Sequence, residues 1–232
     1  MNFRNEIVFA KQLLWRVLGL LLVWMICRIL FYVFNVDSFP IGHFFDFVKL
    51  LFFGVRFDLA AICYVNAVLL LSYALPFSIR KNARYQKMQK GLFLIFNSIA
   101  LAAEVGDTGY FQFSFRRAIG TDLYLIGETT NMVGQFVYDF WYLLMVYVML
   151  LFLLNFMYKK TTITYPQEKN KWQIQLFLFP ILIGLAIVGM RGGVQLRPVM
   201  SLTTAEYVED MRLMPLQTNT TLNLLFSFQQ DF

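Results

Sequence analysis

Five ionisable residues lie at or near one end of long apolar stretches, where an unpaired charge is costly. They are Arg28, Arg56, Asp58, Glu104 and Asp107. Arg56 and Asp58 are two residues apart, about 200° around a helix, so they cannot pair with each other and need partners on other segments. Two kinds of site fit this set: an ion-pair network that fixes helix packing, or a polar pocket that receives a lipid headgroup or positions an outer domain.

Four further arginines belong to the same candidate set. Arg116 and Arg117 follow an aromatic stretch at residues 110–115, and Arg191 and Arg197 flank a turn rich in glycine. Aromatic rings beside arginines are typical of a segment at the level of lipid headgroups. All four could contact phosphates, although arginines at a membrane surface often do so without specificity.

Residues that could carry catalysis or bind a metal are otherwise scarce. The single histidine, His43, lies in a short loop, and both cysteines, Cys27 and Cys63, lie inside apolar stretches where they are expected to act as small packing residues. The sequence has no phosphate-binding glycine loop and no carboxylate cluster with metal-ligand spacing. We therefore predict no catalytic residue, no metal ligand and no cofactor within this chain.

The composition indicates a membrane protein. Hydrophobic residues make up 59% of the 232 positions, charged residues only 15%, and the mean hydropathy is +0.58. These values are far from the averages of soluble domains. The formal charge of +6 does not indicate nucleic-acid binding, because the basic residues flank apolar stretches and do not form one patch.

The elements that must position the candidate residues are long apolar helices. The fold class predicted is an all-α membrane protein, a bundle of five transmembrane helices with interfacial helices on the outer side. The predicted spans are residues 13–35, 48–75, 91–106, 136–158 and 174–190. The third span is short, and we expect an outer loop at residues 106–135 to follow it.

The charges orient this bundle. Residues 80–90 carry five basic side chains and no acid, and every lysine except Lys49 falls on the same side of the predicted membrane. That side holds twelve bases and two acids, as the positive-inside rule requires of the cytoplasmic face. An odd number of spans then places the N-terminus inside and the C-terminus outside.

Residues 191–232 are expected to form an outer connector. Two glycines and Pro198 break the fifth helix, Thr203 and Glu206 have the spacing of a helix-capping box, and a short helix is predicted at residues 204–211. An apolar turn or two is expected at residues 222–228. The sequon that begins at Asn219 is given no weight.

Several short motifs resemble one family. They are residues 54–62 (GVRFDLAAI) with Asn66 and Leu75-Pro76, then Asn97, Asp107, Tyr110-Phe111 and Arg116-Arg117, and finally residues 191–198 (RGGVQLRP) with Leu222-Asn223. In this order they resemble the N-terminal membrane domain of lipoteichoic acid synthase-like proteins, the sulfatase-type phosphoglycerol transferases of the alkaline phosphatase superfamily. The resemblance covers nearly the whole chain.

The resemblance implies a function for the complete protein. In that family five membrane helices precede an extracytoplasmic domain with a threonine nucleophile and a divalent metal, often manganese. That domain transfers a phospho-headgroup, as in phosphoglycerol or phosphoethanolamine transfer, from a lipid donor such as phosphatidylglycerol. The implied location is the bacterial cytoplasmic membrane, and the implied partners are membrane lipids, including anionic phospholipids, and the catalytic domain itself.

The chain departs from the family in that residue 232 comes before any such domain, so no nucleophile or metal ligand of the family can be assigned here. Whether this chain takes part in an enzyme is left open. The alternative is a small membrane scaffold without catalytic activity, or a transporter subunit. Five spans cannot divide into two equal halves and no internal repeat is visible, so inverted transporter repeats find no support.

Overall fold

The computed structural model describes residues 4–74, 82–122, 130–162, 172–195, 199 and 210–230. All regular elements among them are helical, and none of these residues belongs to a strand. The helices are α1 (Arg4–Phe34), α2 (Phe44–Val65), α3 (Ala67–Ala74), α4 (Ala83–Ser114), α5 (Thr130–Asp139), α6 (Trp141–Thr161), α7 (Trp172–Met190), α8 (Met214–Gln217) and α9 (Thr220–Gln230). Short 3₁₀ turns lie at Val36–Ser38 and Met211–Leu213.

Three helices are long and apolar enough to cross a membrane: α1, α4 and α6. The pair α2 and α3 makes a fourth if the two are counted as one broken span. The fifth predicted span coincides with α7. The apolar part of α7, Gln175–Met190, is shorter than the three helices named above. The helical class is therefore confirmed, with three or four helices suited to cross a membrane, while five spans, their orientation and the interfacial helices stay predictions.

The predicted second span is broken at Asn66, where α2 and α3 meet at 69°. The side chain of Asn66 donates to the Ile62 carbonyl of its own helix (2.9 Å) and to Asn97 Oδ1 of α4 (3.1 Å). Asn97 donates back to Asn66 Oδ1 (2.8 Å). Because both amides are buried and mutually satisfied, the bend is fixed against α4 and does not expose polar groups.

Helix α4 continues beyond the third predicted span, through the first part of the predicted outer loop, to Ser114. Within this extension Gly109 serves close packing. A Cβ on Gly109 would lie 2.8 Å from Phe136 Cζ and 3.1 Å from Leu143 Cδ1, so the absent side chain lets the α5–α6 region approach α4 closely. Similarly, the predicted span 136–158 is divided between α5 and α6 at Phe140.

The core lies where α1, α2, α4 and α6 meet. Its largest fully buried apolar side chains include Trp24, Ile62, Leu101 and Leu154. Many large apolar side chains point outward, among them Phe152 of α6 and Phe177 of α7, which are more than two-thirds exposed. An apolar exterior around a packed core is what a lipid environment permits.

The bundle has two chemically different ends. We call the end at which residues 210–230 pack the tail end, and those residues the tail segment. The opposite end, where Arg16, Lys87, Lys90 and Lys159 lie, is called the lysine end. Along α1 the two ends are about 18 Å apart, from the twelve residues between Arg16 and Arg28 at 1.5 Å each.

Candidate functional site

A buried ion pair joins α1 and α2 at the tail end. Arg28 Nη2 forms a salt bridge with Asp58 Oδ1, and Arg28 Nε lies 3.4 Å from Asp58 Oδ2. Both side chains are almost completely buried. Arg28 Nη2 also donates to the Gly54 carbonyl at 3.1 Å, and the missing side chain of Gly54 makes the room for the guanidinium, whose Cζ would lie 2.6 Å from a Cβ there.

A second buried cation sits beside the acids of α4. After α4 ends, Phe115 adopts a left-handed conformation with φ of 53°, which turns the chain back toward the helix. Arg117 Nη1 then lies 2.9 Å from Asp107 Oδ2 and 3.5 Å from Glu104 Oε2. Its guanidinium carbon is 3.6 Å from the centroid of the Phe31 ring, a favourable cation–π position.

Glu104 and Asp107 can share one cation because they are three residues apart on one helix face. Asp107 is further satisfied by the Ala118 amide, which donates to Oδ1 at 2.8 Å. We call Arg28, Asp58, Glu104, Asp107 and Arg117 the buried charge cluster. All five were candidates from the sequence, and the structure brings them to one end of the bundle with their charges facing protein groups.

The tail segment supplies acceptors to both arginines. Arg28 Nη1 donates to the Leu216 carbonyl and, at 3.2 Å, to that of Thr218. Arg117 Nε donates to the Pro215 carbonyl at 2.9 Å, and its Nη2 to Thr218 at 3.4 Å. The backbone around α8 therefore covers the two guanidinium groups. Its carbonyl oxygens accept hydrogen bonds from guanidinium N–H groups that do not bond a carboxylate.

The same segment supplies donors to all three acids. Asn219 Nδ2 donates to Asp58 Oδ1 at 3.2 Å, and Thr220 Oγ1 to Asp107 Oδ2 at 2.6 Å. Thr221 donates to Glu104 Oε1 twice, from its amide at 2.9 Å and from its hydroxyl at 3.1 Å. Each buried carboxylate thus has a tail-segment partner, as buried charges require.

Sequence reasoning missed these tail residues. Gln217, Thr218, Asn219, Thr220 and Thr221 are all buried, although a run of uncharged polar residues resembles a solvated loop. The available signal was the number of side-chain donors in this run, placed between Pro215 and the apolar Leu222. Asn219 has a second role, because its Oδ1 accepts from the Leu222 amide at 2.9 Å and caps α9.

The remaining candidates lie outside the buried charge cluster. Arg56 Nε donates to the Gly192 carbonyl at 3.2 Å, and its Nη2 to Gln195. Arg191 Nη2 donates to the Gln195 carbonyl at 3.1 Å. The turn they hold has positive φ at Gly192 (70°) and Gly193 (140°), which only glycine adopts readily. Arg197 lies outside the described residues, as do residues 204–209 of the predicted helix 204–211.

Arg116 is exposed at the tail end, with 49% of its side chain accessible. Its two terminal nitrogens donate to Asp122 at 2.9 and 2.7 Å. Burial raises the pKa of Asp122, but the hydrogen bonds from Arg116 and from the Ile119 amide outweigh burial and hold the pKa below its ordinary value. Arg116 and Asp122 therefore form a charged pair at the edge of the site, which we call the rim.

A cavity of about 540 Å³ opens between this rim and the tail segment, within the size range of ligand pockets. Arg116 and Arg117 contribute its cationic lining. The other lining residues are Phe115, Ile119, Met211, Met214, Pro215, Thr218, Asn223, Phe226 and Ser227. Within the described part of the chain, no group of three or more His, Cys, Asp or Glu side chains is arranged to hold a metal.

Comparisons with models of protein families, with curated proteins and with solved structures found no match to this chain. The site's function must therefore be argued from its geometry.

Proposed function

We propose that this chain is the membrane anchor domain of a sulfatase-type transferase that moves phosphoglycerol or phosphoethanolamine-type headgroups outside the bacterial cytoplasmic membrane. The observation that carries the proposal is the docking of the tail segment onto the buried charge cluster. Every charged member of that cluster has a hydrogen-bond partner in residues 215–221. The tail segment is therefore held in one place on the bundle.

A tail segment held in one place suits a following domain that must act at a fixed height above the membrane. A catalytic domain that follows the tail segment would be held over the headgroups instead of moving freely on a linker. Such positioning converts an encounter in solution into one between groups already placed near each other, which can contribute a large part of a rate enhancement. The threonine nucleophile and the divalent metal, manganese in many relatives, would belong to that following domain.

The cavity lined by Arg116 and Arg117 would add recognition of the lipid headgroup. Among the candidate arginines, Arg117 has its guanidinium bonded to Glu104 and Asp107. Arg116 pairs with Asp122, but half of its side chain is exposed at the cavity, so it is the better candidate for a headgroup phosphate. Arg56 holds the Gly192 turn, so its proposed role is structural.

The sharpest test of the family assignment is the nucleotide sequence beyond codon 232. We expect the reading frame to continue into a domain with a threonine nucleophile and clustered Asp and His ligands. A stop codon at this point, together with stable expression of the chain, would instead support the small scaffold or transporter subunit.

The anchoring role can be tested in that longer protein with Thr220→Val and Thr221→Val combined. This change keeps side-chain volume but removes the hydroxyl groups that bond Asp107 and Glu104. We expect release of the headgroup from fluorescent phosphatidylglycerol to fall about tenfold or more, since small misplacements are costly to catalysis. The matched control is Thr161→Val, whose hydroxyl bonds only carbonyls of its own helix. Equal activity of both variants would exclude the positioning role.

A further inference from the structure

The lysine end of the bundle contains a second cavity, of about 420 Å³, that none of the preceding functions uses. It lies between the beginning of α1, the beginning of α4 and the end of α6. The lining residues are Gln12, Arg16, Ala83, Gln86, Lys87, Gln89, Lys90, Tyr158, Lys159 and Thr162.

This cavity is strongly cationic. Four of its ten lining residues are basic, namely Arg16, Lys87, Lys90 and Lys159, and none of the ten is acidic. The nearby acid of α1, Glu6, accepts a hydrogen bond from Gln175 of α7 at 2.9 Å and is not among the lining residues. Among the described residues, therefore, no carboxylate in the wall offsets the positive potential inside the cavity.

Arg16 is the most informative member. Its residue is only 6% exposed, its guanidinium lies 4.0 Å from the Tyr158 ring centroid and 5.3 Å from that of Tyr73, and Nη1 donates to the Tyr73 hydroxyl. Nε is buried and has no hydrogen-bond partner. No described carboxylate forms a salt bridge with Arg16, in contrast to Arg28 and Arg117.

A buried arginine without an anion is costly unless something supplies the missing charge. Two aromatic faces stabilise a guanidinium only partly. The chemistry that completes this site is a compact oxyanion, and a phosphate group matches it because Arg and Lys are its usual partners.

The surrounding surface indicates where that phosphate comes from. Trp15, which is next to Arg16 in the chain, is 51% exposed and lines a smaller pocket together with Arg16 and Tyr158. A soluble phosphate needs no such apolar surface, whereas a phospholipid needs both a cationic headgroup site and a place for its chains. Basic pockets between membrane helices on the cytoplasmic side are typical sites for anionic headgroups.

We infer that the lysine-end cavity binds the phosphate of an anionic phospholipid headgroup, with Arg16 at its base and Lys87, Lys90 and Lys159 around it. Under the predicted orientation this lipid lies in the inner leaflet. The inference is independent of the transferase proposal, because it concerns the opposite end of the bundle.

The test is native mass spectrometry of the full chain in detergent, titrated with phosphatidylglycerol or with phosphatidylcholine. We expect retained one-to-one adducts of phosphatidylglycerol only. The variant Lys87→Gln with Lys159→Gln should lower phosphatidylglycerol affinity about tenfold or more, since each base near a membrane surface contributes substantially to anionic-lipid binding. Both lysines are exposed, so their replacement should leave folding intact.

The matched control is Arg84→Gln with Lys160→Gln. It removes the same charge from neighbouring exposed positions that do not line the cavity, and we expect affinity within about twofold of the unchanged chain. Equal loss in both variants, or equal binding of the two lipids, would overturn the site. If glycerol phosphate binds and phosphatidylglycerol does not, the inference that the bound phosphate belongs to a lipid is wrong.

Discussion

At the scale of single residues, the ion pair between Arg28 and Asp58 is the least tolerant feature of the tail end. Both partners are buried, and each also bonds the tail segment. Replacing a partner of a buried pair leaves an uncompensated charge, whereas replacing a partner of an exposed pair does little.

We therefore predict that Asp58→Asn lowers the free energy of unfolding by about 3–5 kcal/mol. The measurement is denaturant or thermal unfolding in detergent. The control is Arg212→Gln, which breaks the exposed pair with Asp210 and should leave the unfolding midpoint unchanged. A midpoint for Asp58→Asn equal to that of the control would show that the buried pair does not stabilise the fold.

The pair between Arg116 and Asp122 should make the turn after α4 sensitive to acid. The pKa of Asp122 is lower in the folded protein than in the unfolded chain. Its stabilising contribution is therefore complete above the unfolded pKa, about 4, and is lost as the pH falls through the lower folded value.

We expect hydrogen exchange at the Ile119 amide, which donates to Asp122 at 3.0 Å, to accelerate in this range after correction for the intrinsic rate. The variant Asp122→Asn should exchange faster at neutral pH and should lack the acid-dependent step. A step that persists in the variant would assign it to another group.

At the scale of elements, the contact between α1 and α2 depends on a glycine. A Cβ at Gly54 would collide with the Arg28 guanidinium, whereas a Cβ at Gly106 of α4 would meet nothing within 4 Å. The two glycines are both helical. Comparing the two alanine variants therefore separates the effect of packing on stability from the effect of helix propensity.

We predict that Gly54→Ala destabilises the bundle by about 1–3 kcal/mol through overpacking. Gly106→Ala should be neutral or stabilising by up to about 1 kcal/mol, because alanine favours the helix. Unfolding midpoints of the two variants in the same detergent provide the comparison. If Gly54→Ala is as stable as Gly106→Ala, the guanidinium does not depend on that space.

The sequence predicted the elements better than their contacts. Apolar stretches were enough to predict the regions of α1, α6 and α7, because hydrophobicity along one segment is a local property. The break at Asn66 was not predicted, since it depends on Asn97 in another helix. The burial of residues 217–221 was missed for the same reason: their polarity is satisfied only by charges that are distant in sequence.

At the scale of the whole molecule, charge separates the two ends of the bundle. The lysine end has a cavity lined with bases, and the tail end combines buried acids with arginines. This asymmetry is the physical basis of the predicted orientation, because basic flanking residues are retained on the cytoplasmic side.

We predict that a cysteine introduced at Val194, which is 94% exposed, reacts with a membrane-impermeant maleimide in right-side-out vesicles. A cysteine at the exposed Lys160 should react only after the vesicles are opened. The native Cys27 and Cys63 are buried and should give little background. The opposite labelling pattern would reverse the orientation and move the lysine-end lipid to the outer leaflet.

The docked tail segment also bears on how the protein is made. Arg28 enters the membrane with the first helix, yet its partner at Leu216 is synthesised 188 residues later. Throughout elongation the inserted helices therefore carry buried donors and acceptors that lack their final partners. Insertion of the early helices and completion of the buried charge cluster are therefore separate events, and the second requires residues 215–221. Until then, the unfilled polar groups distinguish an unfinished chain from a finished one for any quality-control factor in the bilayer.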